Sequence, residues 1–459
     1  MKSKKFAIAT LGCKLNHYDT AVIRETFEAE GYEAVPFSDT ADVYVINTCT
    51  VTSSTDHQCR QLIRQAVKRK HSNPSVKVVV TGCYAQTDSQ EILRMIDGVD
   101  LIVGNNEKER ITDFLHQHAA DASECHVSDV FAERKIRTLP INRFTGYTRA
   151  YLRIQEGCNR RCTYCIIPYA RGGSRSETPE NVLLQAQRFA GQGYREIVLT
   201  GTHIGMYGVD LPNKTTLADL LHALHNIENI QRIRISSIDP TEFTPTLIDT
   251  VTTLPKVCRH LHISLQSGDD AILRAMHRPY NTDYFRTLLD SIATRAPDTA
   301  IGTDVIVGFP GEDEPSFQRT TEFLQSLPLA YMHIFRFSPR KGTPAAAMTP
   351  AVPEGAKKAR CHNLMQLRTE KIHSFQSLFL HKELEILVEH RHWKNSQLLT
   401  GLSSNYIRAF FHGDETLFGS FVKFVPKKIV EGGMEGLIVE CGGRMLNAEV
   451  RIVDNKIDH

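Results

Sequence analysis

Three cysteines, Cys158, Cys162 and Cys165, stand in the run Glu156-Gly157-Cys158-Asn159-Arg160-Arg161-Cys162-Thr163-Tyr164-Cys165. Their spacing, C-x3-C-x2-C with no fourth cysteine nearby, suits three irons of a four-iron cubane cluster. The fourth iron is then left without a protein ligand, and an open iron is a place for chemistry rather than for electron storage alone. A structural zinc site wants four ligands, and the nearest histidine, His203, lies well downstream. A disulfide would leave one thiol over. The cluster is the reading that uses all three thiols.

A second set, Cys13, Cys49 and Cys83, is dispersed, but each member follows a strand-like apolar run: Phe6 to Gly12, Val43 to Thr48, and Val78 to Gly82. Helical patterns lie between them, from Tyr18 to Glu30 and from Asp56 to Lys70. Strand, helix, strand, helix, strand predicts a parallel sheet with crossover helices. Ligands bind along the carboxyl edge of such sheets, so the three cysteines are expected to converge there. Gly12, Thr48, Thr50 and Gly82 are small or polar neighbours that suit close backbone approach to a bound group. The alternative is three ordinary buried cysteines at strand ends.

The elements that must position the first triad begin near Ala150. Strand candidates run Tyr151–Gln155, Glu196–Gly201, Arg232–Ser236, His260–Leu265, Gly302–Val307 and Tyr331–Phe337, with helical segments such as Pro179–Gln192 and Glu314–Leu327 between them. Thr178 is a candidate N-cap ahead of Pro179. Six units rather than eight predict an open partial barrel of parallel strands, whose chemistry belongs at the carboxyl ends. The triad follows the first strand, as that rule asks. The other strand ends are polar: Thr200, Thr202 and His203, then Ser236 and Ser237, then Gln266, Ser267 and Gly268. Asp304 lies within an apolar strand, where a carboxylate is costly unless paired. A long helix pattern from Glu354 to Leu380 is followed by short alternating segments that predict a small β-barrel. Tyr406, Phe410 and Phe411 in that barrel are either base-stacking or core residues.

The chain has 459 residues, 41% of them hydrophobic, enough for several cored domains. Its 11 cysteines argue against a secreted disulfide framework. Neither a signal-peptide pattern nor an apolar run of membrane-span length is evident, so a cytoplasmic protein without membrane partners is expected, and a monomer. Cys59, Cys125, Cys258, Cys361 and Cys441 fit no motif and are read as packing residues. The net charge is only +2, weak for a nucleic-acid binder. Two local clusters are more basic, Lys68 to His71 and the set Arg134, Lys135, Arg137, Arg143, Arg149 and Arg153. Each is either a solvated face or a phosphate track.

Taken together, the two triads resemble the methylthiotransferases among the radical S-adenosylmethionine (SAM) enzymes. The resemblance covers nearly the whole chain. Thr10-Leu11-Gly12-Cys13-Lys14-Leu15-Asn16, Ile46-Asn47-Thr48-Cys49-Thr50-Val51-Thr52 and Leu199-Thr200-Gly201-Thr202-His203-Ile204-Gly205 are most similar to the branch acting on N6-threonylcarbamoyladenosine in tRNA. The resemblance implies an α/β chain: an N-terminal parallel-sheet domain over 1–118 with an auxiliary cluster, a linker over 119–145, a radical-SAM core built as a partial (β/α)6 barrel over 146–375, a small TRAM β-barrel over 376–441, and a tail over 442–459. It implies two 4Fe-4S clusters, one on Cys158, Cys162 and Cys165 and one on Cys13, Cys49 and Cys83, with SAM chelated at the open iron of the first. Tyr164, Arg171, Arg175, Thr200, Ser236, Gln266 and Asp304 become candidate SAM contacts. Glu177 stands where many relatives carry a second arginine, which leaves its role open. Expected partners are tRNA and an electron donor such as a flavodoxin or ferredoxin. Alternatives sharing the machinery act on N6-isopentenyladenosine in tRNA or on an aspartate of a ribosomal protein. One of another class is a non-catalytic iron–sulfur RNA-binding or electron-transfer protein.

Overall fold

The computed structural model describes residues 3–118, 122–137, 140–441 and 444–445. The rest of the tail expected over 442–459 lies outside the described residues. At the N-terminus six parallel strands form one sheet in the order Glu33–Ala34, Lys5–Thr10, Val43–Thr48, Lys77–Gly82, Leu101–Val103 and Glu124–His126. Val43–Thr48 is buried along its whole length, which is why it reads as an unbroken apolar run and not as an alternating one. Helices Lys14–Ala29, Ser53–Ser72 and Cys83–Met95 are its crossovers. The last strand, Glu124–His126, falls in the stretch expected to be linker. It is short and polar, and its pairing with Leu101–Val103 defines it; periodicity could not.

The central strands form two parallel three-stranded pieces. One holds Arg149–Arg153, Glu196–Thr200 and Arg232–Ile235; the other holds His260–His262, Ala300–Val307 and Tyr331–Arg336. Single bridges, Ile233 to Val257 and Ile238 to Ile263, join the pieces. The result is an open barrel of six strands in chain order. Helices cover its outside through one continuous apolar core. Thr178 caps the helix Pro179–Gly191, accepting from the Asn181 N–H.

Beyond the helix Glu354–Ser377, five strands close into a small antiparallel barrel, sealed where Arg408–His412 meets Gly433–Cys441 in parallel. Its interior includes Ile386, Val388, Leu399, Phe411 and Phe424. The module sits on the first residues of the central strands, opposite their carboxyl ends. Arg232 donates to the carbonyls of Leu402 (2.9 Å) and Glu385 (2.5 Å). Arg234 donates to those of Ser403 and Ser404, and Arg149 pairs with Glu389 at 2.7 Å. Tyr406, in left-handed backbone at φ 66°, stacks on His260 with ring centroids 4.0 Å apart. The core option holds for Phe410 and Phe411, which are buried, while Tyr406 stacks on His260 with part of its ring exposed.

The basic clusters divide: Lys68, His71, Arg134, Lys135, Arg137 and Arg143 are exposed, whereas four members are engaged within the molecule. Lys70 pairs with Asp100, Arg69 donates to Asp39 and Tyr44, and Arg149 and Arg153 are held by carboxylates. Among the packing cysteines, Cys59 and Cys258 are buried, whereas Cys125 is exposed, a correction that follows from its place on the edge strand. Replacing Arg232 by Ala removes both carbonyl contacts and should weaken docking by about 3 kcal/mol. The expected readout is faster proteolytic cleavage between 377 and 384, with the circular dichroism spectrum unchanged.

Candidate active site

In the N-terminal sheet the strands Lys5–Thr10, Val43–Thr48 and Lys77–Gly82 are neighbours in register, with Thr10 opposite Asn47 and Thr48 opposite Gly82. Parallel polarity therefore delivers Cys13, Cys49 and Cys83 to one edge. Cys13 is the N-cap of the helix Lys14–Ala29, and Cys83 opens the helix Cys83–Met95. The thiols act on one another electrostatically, and burial reinforced by Cys83 pushes the Cys49 thiol up to about 12. Gly12, at φ 113°, lies so close that a Cβ there would meet the Cys49 Sγ at 2.9 Å. Cys59, read from sequence as mere packing, receives the Cys49 N–H at 3.4 Å and donates to the Cys49 carbonyl at 3.3 Å. It thereby fixes the peptide that carries the neighbouring thiol.

The first triad lies in the loop after Arg149–Arg153. A Cβ on Gly157 would meet the Gly173 carbonyl at 2.0 Å, so the turn into Cys158 requires glycine. The Cys158 N–H donates to the Gly172 carbonyl at 3.0 Å. Burial, aided by Cys162, pushes the Cys165 thiol up to about 12. Arg278 Nη1 donates to the Cys162 Sγ at 3.3 Å and Nη2 pairs with Asp239 at 2.8 Å. His203, dismissed as a distant zinc partner, is brought by the fold beside Cys158 and Glu242. Burial opposes its charge, but its hydrogen bonds to Cys158 and Glu242 lift its pKa to about 10.

Both loops hang on one buried ion network. Arg171 Nη1 lies 2.7 Å from Glu156, two residues before Cys158. Its Nη2 lies 2.9 Å from Asp19 and 2.7 Å from Asn16 Oδ1, on the helix that Cys13 caps. Lys108 joins Asp19 at 2.7 Å, and Asn16 donates to the carbonyls of Leu11 and Thr48. Burial would raise the carboxyl pKa values; Lys108 and Arg171 hold Asp19 down, and Lys108, Arg153 and Arg171 hold Glu156 down. Arg175 donates to the carbonyls of Val130, Glu133 and Arg171. Arg171 and Arg175, expected as SAM contacts, are thus structural ties between domains.

A cavity of about 210 Å³ opens between the two triads. Val51 and Thr52, just after Cys49, form one wall; Tyr164, Cys165, Gln266 and Asp304 are on the others, with Ile306, Phe335 and Phe337 as apolar lining. The structure thus brings Tyr164, Gln266 and Asp304 together, while Thr200 and Ser236 are absent from the lining. Ser236 Oγ is nonetheless buried without a hydrogen-bond partner. Asp304 Oδ1 is 3.2 Å from His262 Nε2, and His333 completes a close His–Asp–His group. Sequence reading missed His262, His333 and Arg278. For His262 and His333 the signal was the alternation that turns every second strand residue inward; Arg278, in a loop, had none.

The thiols fit iron. They are buried or half-buried apart from Cys13, costly to ionise alone, and three in number at each site. A cluster would supply the positive charge that a thiolate needs there.

Family comparisons agree with this geometry. Residues 5–104 match the model described as Uncharacterized protein family UPF0004, and residues 152–324 match the Radical SAM superfamily. The chain is 41% identical over 431 residues to the Threonylcarbamoyladenosine tRNA methylthiotransferase MtaB of Bacillus subtilis, covering 93% of this chain and 94% of that one. It is 41% identical over 404 residues to the protein of the same name from Aquifex aeolicus, covering 88% and 95%. Among solved structures, the radical S-adenosylmethionine methyltransferase TsrM from Kitasatospora setae aligns with a TM-score of 0.56 at 13% identity over 75% of each chain, a likeness of fold.

Replacing Arg171 by Met strands Asp19 and Glu156 in the interior. Stability should fall by about 3–5 kcal/mol, read from the denaturation midpoint, and iron content should fall at both sites.

Proposed function

The chain belongs to the threonylcarbamoyladenosine tRNA methylthiotransferases, and from that premise we propose how its residues carry out the reaction. The enzyme adds a methylthio group at carbon 2 of N6-threonylcarbamoyladenosine at tRNA position 37, using SAM and two 4Fe-4S clusters. The observation that carries this reading is the cavity flanked by both cysteine loops. Cys158, Cys162 and Cys165 hold the cluster that binds SAM; Cys13, Cys49 and Cys83 hold the one that presents sulfur. When bound, these groups supply the one-electron chemistry needed at carbon 2, whose unactivated hydrogen is beyond ordinary acid–base catalysis.

The chain's own residues bind and orient. Tyr164 offers an aromatic face to the adenine of SAM, while Gln266 and Asp304 offer hydrogen bonds to its polar groups. Gln266 is held at φ 76°, a strained conformation that aims its side chain. The buried Phe337 lines the cavity and limits water there. Arg278 stabilises negative charge on the Cys162 sulfur.

The C-terminal barrel acts as a TRAM-type tRNA contact. Its exposed ring is Trp393, the only tryptophan of the chain and 80% exposed, with Lys394 4.7 Å from its ring centroid. Trp393 takes the stacking role, since Phe410 and Phe411 are buried. No helix among the described residues is long and apolar enough to cross a membrane. A cytoplasmic monomer reduced by a flavodoxin or ferredoxin completes the proposal.

Nucleoside mass spectrometry of tRNA from a strain lacking the gene should show loss of the 2-methylthio derivative and accumulation of its parent. An unchanged profile would refute the substrate, and the isopentenyl nucleoside would be examined next. Cys49→Ala should retain reductive SAM cleavage and lose sulfur insertion, whereas Cys158→Ala should lose both. Trp393→Ala should weaken tRNA binding by about 1–3 kcal/mol, measured by titration at fixed salt.

A further inference from the structure

Lys14 follows Cys13 directly and opens the helix Lys14–Ala29. That helix lies on the open side of the central barrel, where His17 packs against Tyr147 and Tyr151. Lys14 is half-buried; the charges of Arg234, Arg149 and Glu196 act on its ammonium, which in turn acts on His260 and His333. It has no hydrogen-bond or ion-pair partner among the described residues.

The nearby carboxylates are already committed. Glu196 is 2.8 Å from Arg234 and 3.6 Å from Arg232. Glu389 is 2.7 Å from Arg149, and Asp304 is beside His262. Lys14 is the cation left over in a polar lumen. An unmatched polar atom accompanies it, since His260, on which the Lys14 charge acts, has its Nδ1 buried without a hydrogen-bond partner. Such a group calls for an anion that arrives with the ligand.

The position of Lys14 limits which part of the ligand that is. On a purine, carbon 2 and the carbon bearing N6 flank the same ring nitrogen. A base presenting carbon 2 to sulfur from a cluster that Cys13, Cys49 and Cys83 would hold would therefore bring its N6 substituent near the loop that carries Cys13 and Lys14. The threonylcarbamoyl substituent ends in a carboxylate; an isopentenyl group carries none.

Resting on the substrate reading above, we propose that Lys14 is a specificity-determining residue that receives the threonyl carboxylate of the target nucleoside. Arg234 and Arg149, though paired, leave the surrounding field positive. Lys14 thereby distinguishes the charged nucleoside from unmodified or apolar N6 forms.

The test uses reconstituted holoenzyme and anticodon stem-loop RNAs that differ only at the target base: N6-threonylcarbamoyladenosine, its threonine carboxamide analogue, and adenosine. Binding is measured by fluorescence anisotropy, and iron content and the visible absorption spectrum confirm both clusters. Wild type should bind the carboxylate RNA about tenfold or more tighter than the carboxamide RNA. Lys14→Met should bind these two RNAs equally and the adenosine RNA as wild type does; Lys14→Arg should keep the preference. If Lys14→Met weakens all three RNAs alike, the lysine contacts phosphate and the proposal is overturned. It is also overturned if the variant keeps the full carboxylate preference. Should Lys14→Met lose auxiliary iron, the wild-type carboxamide comparison decides alone: equal affinity for the two RNAs overturns the carboxylate contact. A wild type that ranks adenosine with the threonylcarbamoyl RNA would instead refute the substrate reading itself, a failure visible before any variant is made.

Discussion

Arg171 is clamped between Asp19 and Glu156, at 2.9 and 2.7 Å, in the interior between two domains. Asp19 lies on the helix capped by Cys13, and Glu156 precedes Cys158 by two residues. Both thiol-bearing loops are therefore referenced to one guanidinium. A buried ion pair is a poor source of net stability, because desolvation offsets much of the attraction. Its effect here is on geometry: two charges that cannot be left unmatched hold one domain in a fixed register against the other. Asn16 extends this control by accepting from Arg171 and donating to the backbone of Leu11 and Thr48, beside two of the auxiliary cysteines.

Within that register, strand polarity does the rest. Two parallel sheets with short loops place their ligands at carboxyl edges, and the interdomain clamp turns those edges toward a common cavity. The opposite end of the central barrel is closed by the C-terminal module through Arg149, Arg232, Arg234 and Tyr406. Substrate access is thereby separated from the structural end. Among the described residues the carboxylates of that lumen are paired while Lys14 is not, which is why charge can select the ligand there.

Much of this was legible before folding. The C-x3-C-x2-C run is a local motif, and its meaning depends on spacing alone. The convergence of Cys13, Cys49 and Cys83 followed from three β-branched runs alternating with helices, because parallel pairing leaves few ways to arrange them. The six-strand barrel and the small terminal barrel followed from periodicity in the same way. Gln266 was singled out at a strand end, Asp304 as a carboxylate within an apolar strand and Tyr164 by resemblance beside the triad, and the cavity does gather them.

Residues whose role depends on a remote partner were misread. Arg171 and Arg175 looked like ligand-binding arginines because their glycine-rich segment follows the triad; the fold spends them on carboxylates and carbonyls. Arg149 and Arg153 looked like a surface stripe and are interior. His203 was set aside as too distant, yet strand pairing brings it to Cys158. What the sequence by itself determined was the chemistry available and the polarity of the elements that carry it, since both are written in local spacing and period. Only the tertiary structure decided which charges are consumed and which, like Lys14, remain. Pairing is a property of distances across the fold, and those are settled only when all the elements have packed.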